Sequence, residues 1–226
     1  MVSASQHAKQ VWEACGYSAK AFDILIDASH DLSSKAGFFV CLAACLTLLP
    51  GGLVLAGPPC SLFIWISCSV HRRHELPLGD TSRAKVRLAN LIATNTAVIL
   101  QQLIERQVNV MVEQPASSKM FELPAFQQLM DGGTWKIHST YMGCFGHSMP
   151  KETILLSNMK SSRLLCRRMD WAWWRSHKSK MAPMPAAWVK TKDGRTKGTK
   201  ALQGSAAYTK LFCNAVFEAW EKTMLH

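Results

Sequence analysis

Two residues have settings that point most directly to chemistry. Cys60 follows a short apolar run, Leu53-Val54-Leu55-Ala56, by way of Gly57-Pro58-Pro59. Glu113 closes a second run, Val108 to Val112, and leads into Gln114-Pro115. Consecutive prolines stiffen the approach to the thiol and remove backbone donors, so Cys60 is displayed on a rigid loop. If residues 61–66 open a helix, its amino end lowers the thiol pKa and favours the thiolate, the form that acts as a nucleophile. A carboxyl group within hydrogen-bond reach could assist addition of that thiolate as an acid. The competing reading is an inert buried thiol of the kind expected for Cys41 and Cys45.

The elements that must bring this pair together follow from hydrophobic spacing. Residues 5–15 carry Ala8, Val11, Trp12 and Cys15 at helical intervals. Ala21 to Ile26 reads as a buried strand ending in acidic residues. Ser33 and Ser34 can cap a helix from Lys35 to Leu48, and Leu53 to Ala56 makes a second strand. Thr81 or Ser82 should cap a long helix over 82–106, and 108–112 is a third strand. Beyond 116 the pattern predicts a helix near Pro124–Met130, strands at Trp135–Thr140 and Thr153–Leu156, and a last helix near Tyr208–Lys222. This alternation predicts an α/β fold with a doubly wound, mostly parallel sheet in which strands 22–26, 53–56 and 108–112 are parallel neighbours. Function gathers at the carboxyl ends of such strands, where Cys60 and Glu113 both fall. The expected organisation is an α/β core over 1–157, a basic Trp-containing segment over 158–204, and a C-terminal helix over 205–226.

Composition narrows the function classes. The 226 residues are 48% hydrophobic and 18% charged, enough for one sizeable core and too apolar for disorder. Of the net charge of +11, residues 1–150 contribute +1 and 151–226 contribute +10. That basic region, interleaved with Trp171, Trp173, Trp174 and Trp188, offers phosphate neutralisation and stacking faces. The same tryptophans, with Met169, would equally serve as a hydrophobic flap over the core. Lys151, Arg163, Arg167, Arg168, Arg175, Lys178, Lys180, Lys190 and Lys192 are the candidate nucleic-acid contacts, with DNA the expected partner. From Ala36 to Val70 no residue is charged, long enough for a membrane span, but Pro50-Gly51-Gly52 and Gly57-Pro58-Pro59 break it into pieces that suit buried elements. The eight cysteines lie largely in apolar runs, no Asn-x-Ser/Thr sequon occurs, and the first twenty residues lack a signal-peptide core. An intracellular protein, nuclear or cytoplasmic and not secreted, is expected.

Gly57-Pro58-Pro59-Cys60 resembles the Pro-Cys loop of DNA cytosine-5 methyltransferases, and Val112-Glu113-Gln114-Pro115 resembles their Glu-containing strand end, in the same order. Residues 143–151 are weakly similar to a later Gly-Val-Pro-Gln segment, and Leu202, Tyr208 and Phe212 to a closing motif. The chain also resembles, over most of 20–217, a set of proteins of unicellular algae that share a GPPC-type loop, a Glu-Gln-Pro strand end and a basic C-terminus. The resemblance implies that the Cys60 thiolate adds to ring carbon 6 of a flipped cytosine, that Glu113 binds and protonates ring nitrogen 3, and that carbon 5 takes the methyl group of S-adenosylmethionine. It also implies that Asp23, Asp27 and Asp31, with Pro58 and Pro59, lie along that cofactor. The sequence departs from the family at Ser61, where the family has Gln, and at Gln114-Pro115, where it has Asn-Val. The first strand and the glycine-rich loop that holds the methionine end have no counterpart, and the chain is expected to begin in the helix after them.

Other constellations are weaker. Cys68, His71 and His74 have zinc-like spacing without an evident fourth ligand, so no metal is expected. Gly-x-Ser-x-Gly does not occur. The leading expectation is a divergent S-adenosylmethionine-dependent DNA cytosine-5 methyltransferase-like protein. The alternative is a non-catalytic nucleic-acid-binding module on the same fold, with a membrane-associated protein third.

Overall fold

The structure, a computed structural model, describes residues 4–72, 77–178, 188–190, 196–198 and 207–225. Helix α1 spans Ala4–Ala14 and α2 Lys35–Leu46; strand β1, Leu53–Ala56, is followed by α3, Trp65–His71, and α4, Ala84–Glu105. Strand β2 covers Asn109–Pro115, α5 Pro124–Asp131, β3 Lys136–Tyr141 and β4 Glu152–Ser157. Helix α6, Trp171–Lys178, precedes a short hairpin of β5, Trp188–Lys190, and β6, Thr196–Gly198, and α7 runs from Lys210 to Met224.

The main sheet has the order β1-β2-β4-β3. β1 and β2 are parallel neighbours, Ala56 opposite Val112, as expected of two apolar strands joined through helices. The remaining pairs are antiparallel. The sheet is therefore mixed, and the expected doubly wound, mostly parallel arrangement is corrected to a single parallel pair with an antiparallel half. The reason is local: between β3 and β4 lie only a 3₁₀ turn, Met142–Phe145, and a short loop, too little chain for a crossover helix.

The strand expected at 22–26 is a turn. Ile24, Leu25 and Ile26 are exposed, Leu25 at 82%. Asp23 diverts the chain: its Oδ1 accepts from the Leu25 amide at 2.9 Å and its carbonyl from Ile26 at 2.9 Å. Such side-chain bonds compete with strand pairing, and apolar character alone does not outweigh them. The helix over 84–105 also starts differently from expectation. Arg83 occupies the N-cap, where its guanidinium has no acceptor to offer the helix amides and donates instead to Asp80, as does the Ser82 hydroxyl. At α2 the expected Ser34 cap is present, its hydroxyl accepting from Gly37 at 2.9 Å. Residue 37 must be glycine there, since a Cβ would run into the Asp31 carbonyl.

Period-two alternation divides the core. Val110 and Val112 face α2, α4 and α5 with Phe63, Leu100 and Phe126, whereas Met111 and Leu155 face α1 and α7 with Phe145, Phe212 and Val216. Helices thus cover both faces of the sheet. Glu113, two residues after Met111, turns to the α1/α7 face. No helix among the described residues is long and apolar enough to cross a membrane.

Candidate active site at the ends of two parallel strands

Because Ala56 pairs with Val112, Gly57 leaves β1 beside Glu113. A Cβ at Gly57 would lie 3.9 Å from Glu113 Oε2 and would collide with the Tyr208 hydroxyl, so glycine permits this close approach. The loop then runs through buried Pro58 and exposed Pro59 to the half-buried Cys60. Buried Gln114 fixes it from β2: Nε2 donates to the Pro58 carbonyl at 2.8 Å, while Oε1 accepts from Ser118 at 2.8 Å. Arg72, 3% exposed, holds the segment after Cys60. Its Nε donates to Leu62 O, its Nη1 to Pro77 O and its Nη2 to Asn90 Oδ1, each at 2.7 Å, with the guanidinium 3.8 Å over Phe63.

Residues 61–63 form a turn and α3 begins only at Trp65, so Cys60 is not at a helix start and the expected helix-dipole activation is corrected. Burial pushes its thiol pKa up, the nearby Glu113 carboxylate adds to this, and the Lys151 ammonium opposes it. The resting thiol is therefore protonated at neutral pH.

Glu113 is 6% exposed. Lys151 Nζ lies 3.2 Å from its Oε1, and the Tyr208 hydroxyl donates to Oε2 at 3.4 Å. The lysine contact is an ion pair out of hydrogen-bond alignment, and Oε1 accepts no hydrogen bond among the described residues. The other ion pairs among those residues are exposed or, at Lys119, half-buried, and contribute little. Lys151 has φ +36°, a left-handed backbone rarely adopted by a lysine; its carbonyl is held by the Met142 amide and the Thr153 hydroxyl. Strain of this kind persists where the surroundings over-determine it, often at functional sites. Tyr208 is buried, and desolvation, followed by the Glu113 charge, raises its pKa well above the ordinary value. Its carbonyl contacts His7 Nδ1 at 2.8 Å, tying α1 to the site.

Buried Glu113 and half-buried Cys60 thus follow the ends of neighbouring parallel strands, as the sequence reading expected. Lys151 was expected to face phosphate; its side chain is 15% exposed and ion-paired to Glu113. The positions of Tyr208, Gln114 and Arg72 in the site were not anticipated. The sequence signal for Gln114 was a polar residue at the end of an apolar run; Arg72, within His71-Arg72-Arg73-His74, carried no such signal.

The acidic residues proposed for the cofactor are engaged locally. Asp23 caps its own turn, Asp27 accepts from the Ser29 amide at 2.8 Å, and Asp31 accepts from the Ser33 amide and hydroxyl at 2.9 and 2.6 Å. The serine bonds hold the Asp27 and Asp31 carboxyls below their usual pKa range. With residues 22–26 in a turn, no strand end presents these carboxylates to a ligand. Their arrangement does not fit a cradle for S-adenosylmethionine.

Arg163, Arg167, Arg168, Arg175 and Lys190 are exposed. Arg167 lies 4.4 Å over the Phe145 ring, and Arg175 Nε donates to Trp171 O at 3.0 Å. Trp174 and Met169 pack inward, whereas Trp171 and Trp173 are about half exposed, so the flap and stacking readings each describe part of this segment. The backbone of Lys178 ends α6; Lys180 and Lys192 lie outside the described residues. His74, of the zinc-like trio, also lies outside them, and no group of three or more metal-binding side chains occurs among the described residues. A cleft of about 260 Å³ opens beyond β2 between Ser118, Phe121, Ile137 and Ile154, joined to the Cys60 loop through the Ser118–Gln114–Pro58 hydrogen bonds. No protein-family model, curated protein or solved structure matches the chain.

Proposed function

We propose that this domain is a divergent relative of the DNA cytosine-5 methyltransferases, with a Rossmann-like ancestry in its parallel pair, and that Cys60 and Glu113 add a thiolate reversibly to a cytosine ring. One observation carries the reading. A buried carboxylate, Glu113, whose Oε1 is ion-paired to Lys151 but accepts no aligned hydrogen bond among the described residues, stands beside the strand end that delivers a thiol. A buried acceptor left in this way is costly unless a ligand completes it.

In the reaction the Cys60 thiol loses its proton to solvent and the sulfur forms a bond to ring carbon 6; the carbon 5–carbon 6 pair shifts toward ring nitrogen 3, which takes the proton that the Glu113 carboxylate has accepted from solvent. Carbon 5 then takes a proton from water. In reversal the original carbon 5 hydrogen leaves as a proton to solvent, ring nitrogen 3 returns its proton to Glu113 and the thiolate is expelled, so the net result is hydrogen exchange with solvent. No cofactor enters these steps. The domain should accordingly release tritium from an oligonucleotide labelled at cytosine carbon 5, without added S-adenosylmethionine, and Cys60→Ser should abolish the release. Absence of release by the wild-type chain above a protein-free control would overturn the covalent reading.

Binding of S-adenosylmethionine by residues 1–226 should be weak or absent, because the sequence has no strand followed by a glycine-rich loop to supply the backbone amides and close approach that its methionine end requires. Calorimetric titration checks this; micromolar binding would show that the cradle is built elsewhere in the chain. The second reading, a nucleic-acid-binding module without chemistry, is favoured by Arg163, Arg167, Arg168 and Arg175, which have no carboxylate ion pair among the described residues and flank two exposed tryptophans.

A further inference from the structure

Three charged or titratable groups face the Cys60 cluster: Glu113 from β2, Lys151 from the loop between β3 and β4, and Tyr208 from the chain ahead of α7, with Cys213 of α7 against Tyr208. Glu113 and Lys151 have opposite signs and are tied to each other at 3.2 Å. The ammonium that could balance a thiolate is therefore committed to the carboxylate that opposes one. Among the described residues Glu113 Oε1 has no hydrogen bond to lose when a ligand displaces Lys151 from it.

We propose that Glu113 is a brake on Cys60 and that Lys151 is a positioning residue shared between them, so that neutralising or occupying Glu113 frees the ammonium to stabilise the thiolate. The nucleophile is then armed only when the carboxylate is engaged, by a ligand edge that offers a hydrogen-bond donor. The proposal deepens the covalent reading of the same site. Arming consists of loss of the Sγ proton to solvent base, with the thiolate charge balanced by Lys151 Nζ. A carbon–sulfur bond forms only when an electrophile arrives.

The test requires no nucleic acid. The full chain is alkylated with iodoacetamide between pH 6 and 9.5, where sulfur displaces iodide, and each cysteine is followed separately by peptide mass spectrometry. Glu113→Gln mimics the neutral carboxyl. It should raise the Cys60 rate at pH 7.5 by about three- to fourfold, since one pKa unit gives tenfold more thiolate and nucleophilicity falls with a Brønsted slope of about 0.4–0.5. Lys151→Gln should slow Cys60 by a similar factor. The double variant has no unpaired buried charge and should react at least as fast as the wild type. Buried Cys41 and Cys213 should stay protected wherever the fold is retained.

An unchanged or slower Cys60 in folded Glu113→Gln would overturn the proposal. If that variant exposes Cys41 and Cys213, the double variant decides: a rate below wild type overturns it. A shifted alkylation profile without tritium release keeps the brake and removes the cytosine reading. Tritium release with an unshifted profile removes the brake alone.

Discussion

Replacing Lys151 with methionine should destabilise the domain by about 3–5 kcal/mol, because it leaves the buried Glu113 carboxylate without its counter-charge. Tyr208 would remain as a single donor at 3.4 Å, too little to compensate an uncompensated charge in this position. Glu113→Gln should cost less, since the lysine side chain reaches solvent more readily than the glutamate. Combining the two substitutions should recover most of the loss, as a buried pair replaced as a unit is often close to neutral. Urea denaturation of the four proteins closes the double-mutant cycle. A coupling energy below about 1 kcal/mol would place this pair among ordinary surface bridges.

Binding to duplex DNA should weaken about a thousandfold between 50 and 200 mM salt if six phosphates are neutralised, from a slope near −0.9 per phosphate. The charges come from residues 160–200, which hold 12 Lys and Arg against Asp170 and Asp193. Changing Arg163, Arg167, Arg168 and Arg175 together to alanine should reduce the magnitude of the slope by about 3 to 4. Trp171→Ala should weaken single strands by about 1–3 kcal/mol, because a stacking platform is lost. Asp170 does not offset these arginines by pairing; its Oδ1 accepts the Ala172 and Trp173 amides at the start of α6. Sequence preference should be slight, since phosphate contacts position a protein without reading bases. Fluorescence anisotropy over a salt series measures all of this, and a flat response would remove nucleic acid as the partner.

The parts of the site that were legible in the sequence are those encoded within a few residues of one another. Helical spacing over 84–105, the short apolar runs before Gly57 and Glu113, and the prolines before Cys60 together imply two parallel strands with a thiol and a carboxylate at neighbouring ends. Residues 22–26 show the limit of that logic. Their apolar side chains match a strand, but the Asp23 bonds close a turn over the same stretch, and periodicity does not record that competition.

Local residue pattern sufficed to put Cys60 and Glu113 after the ends of two neighbouring strands and to concentrate positive charge after residue 150. Tertiary structure alone decided what those two residues meet there. Lys151 reaches Glu113 because β4 returns antiparallel with Gln114 opposite Ile154 and Pro115 opposite Thr153, which carries the loop before β4 alongside the end of β2. A register slip of one residue would turn the β4 side chains to the other face. Tyr208 arrives from 95 positions away, through the packing of Phe212 on Phe145. Partnerships over such separations depend on which faces pack together, a property of the assembled core that local residue spacing does not carry.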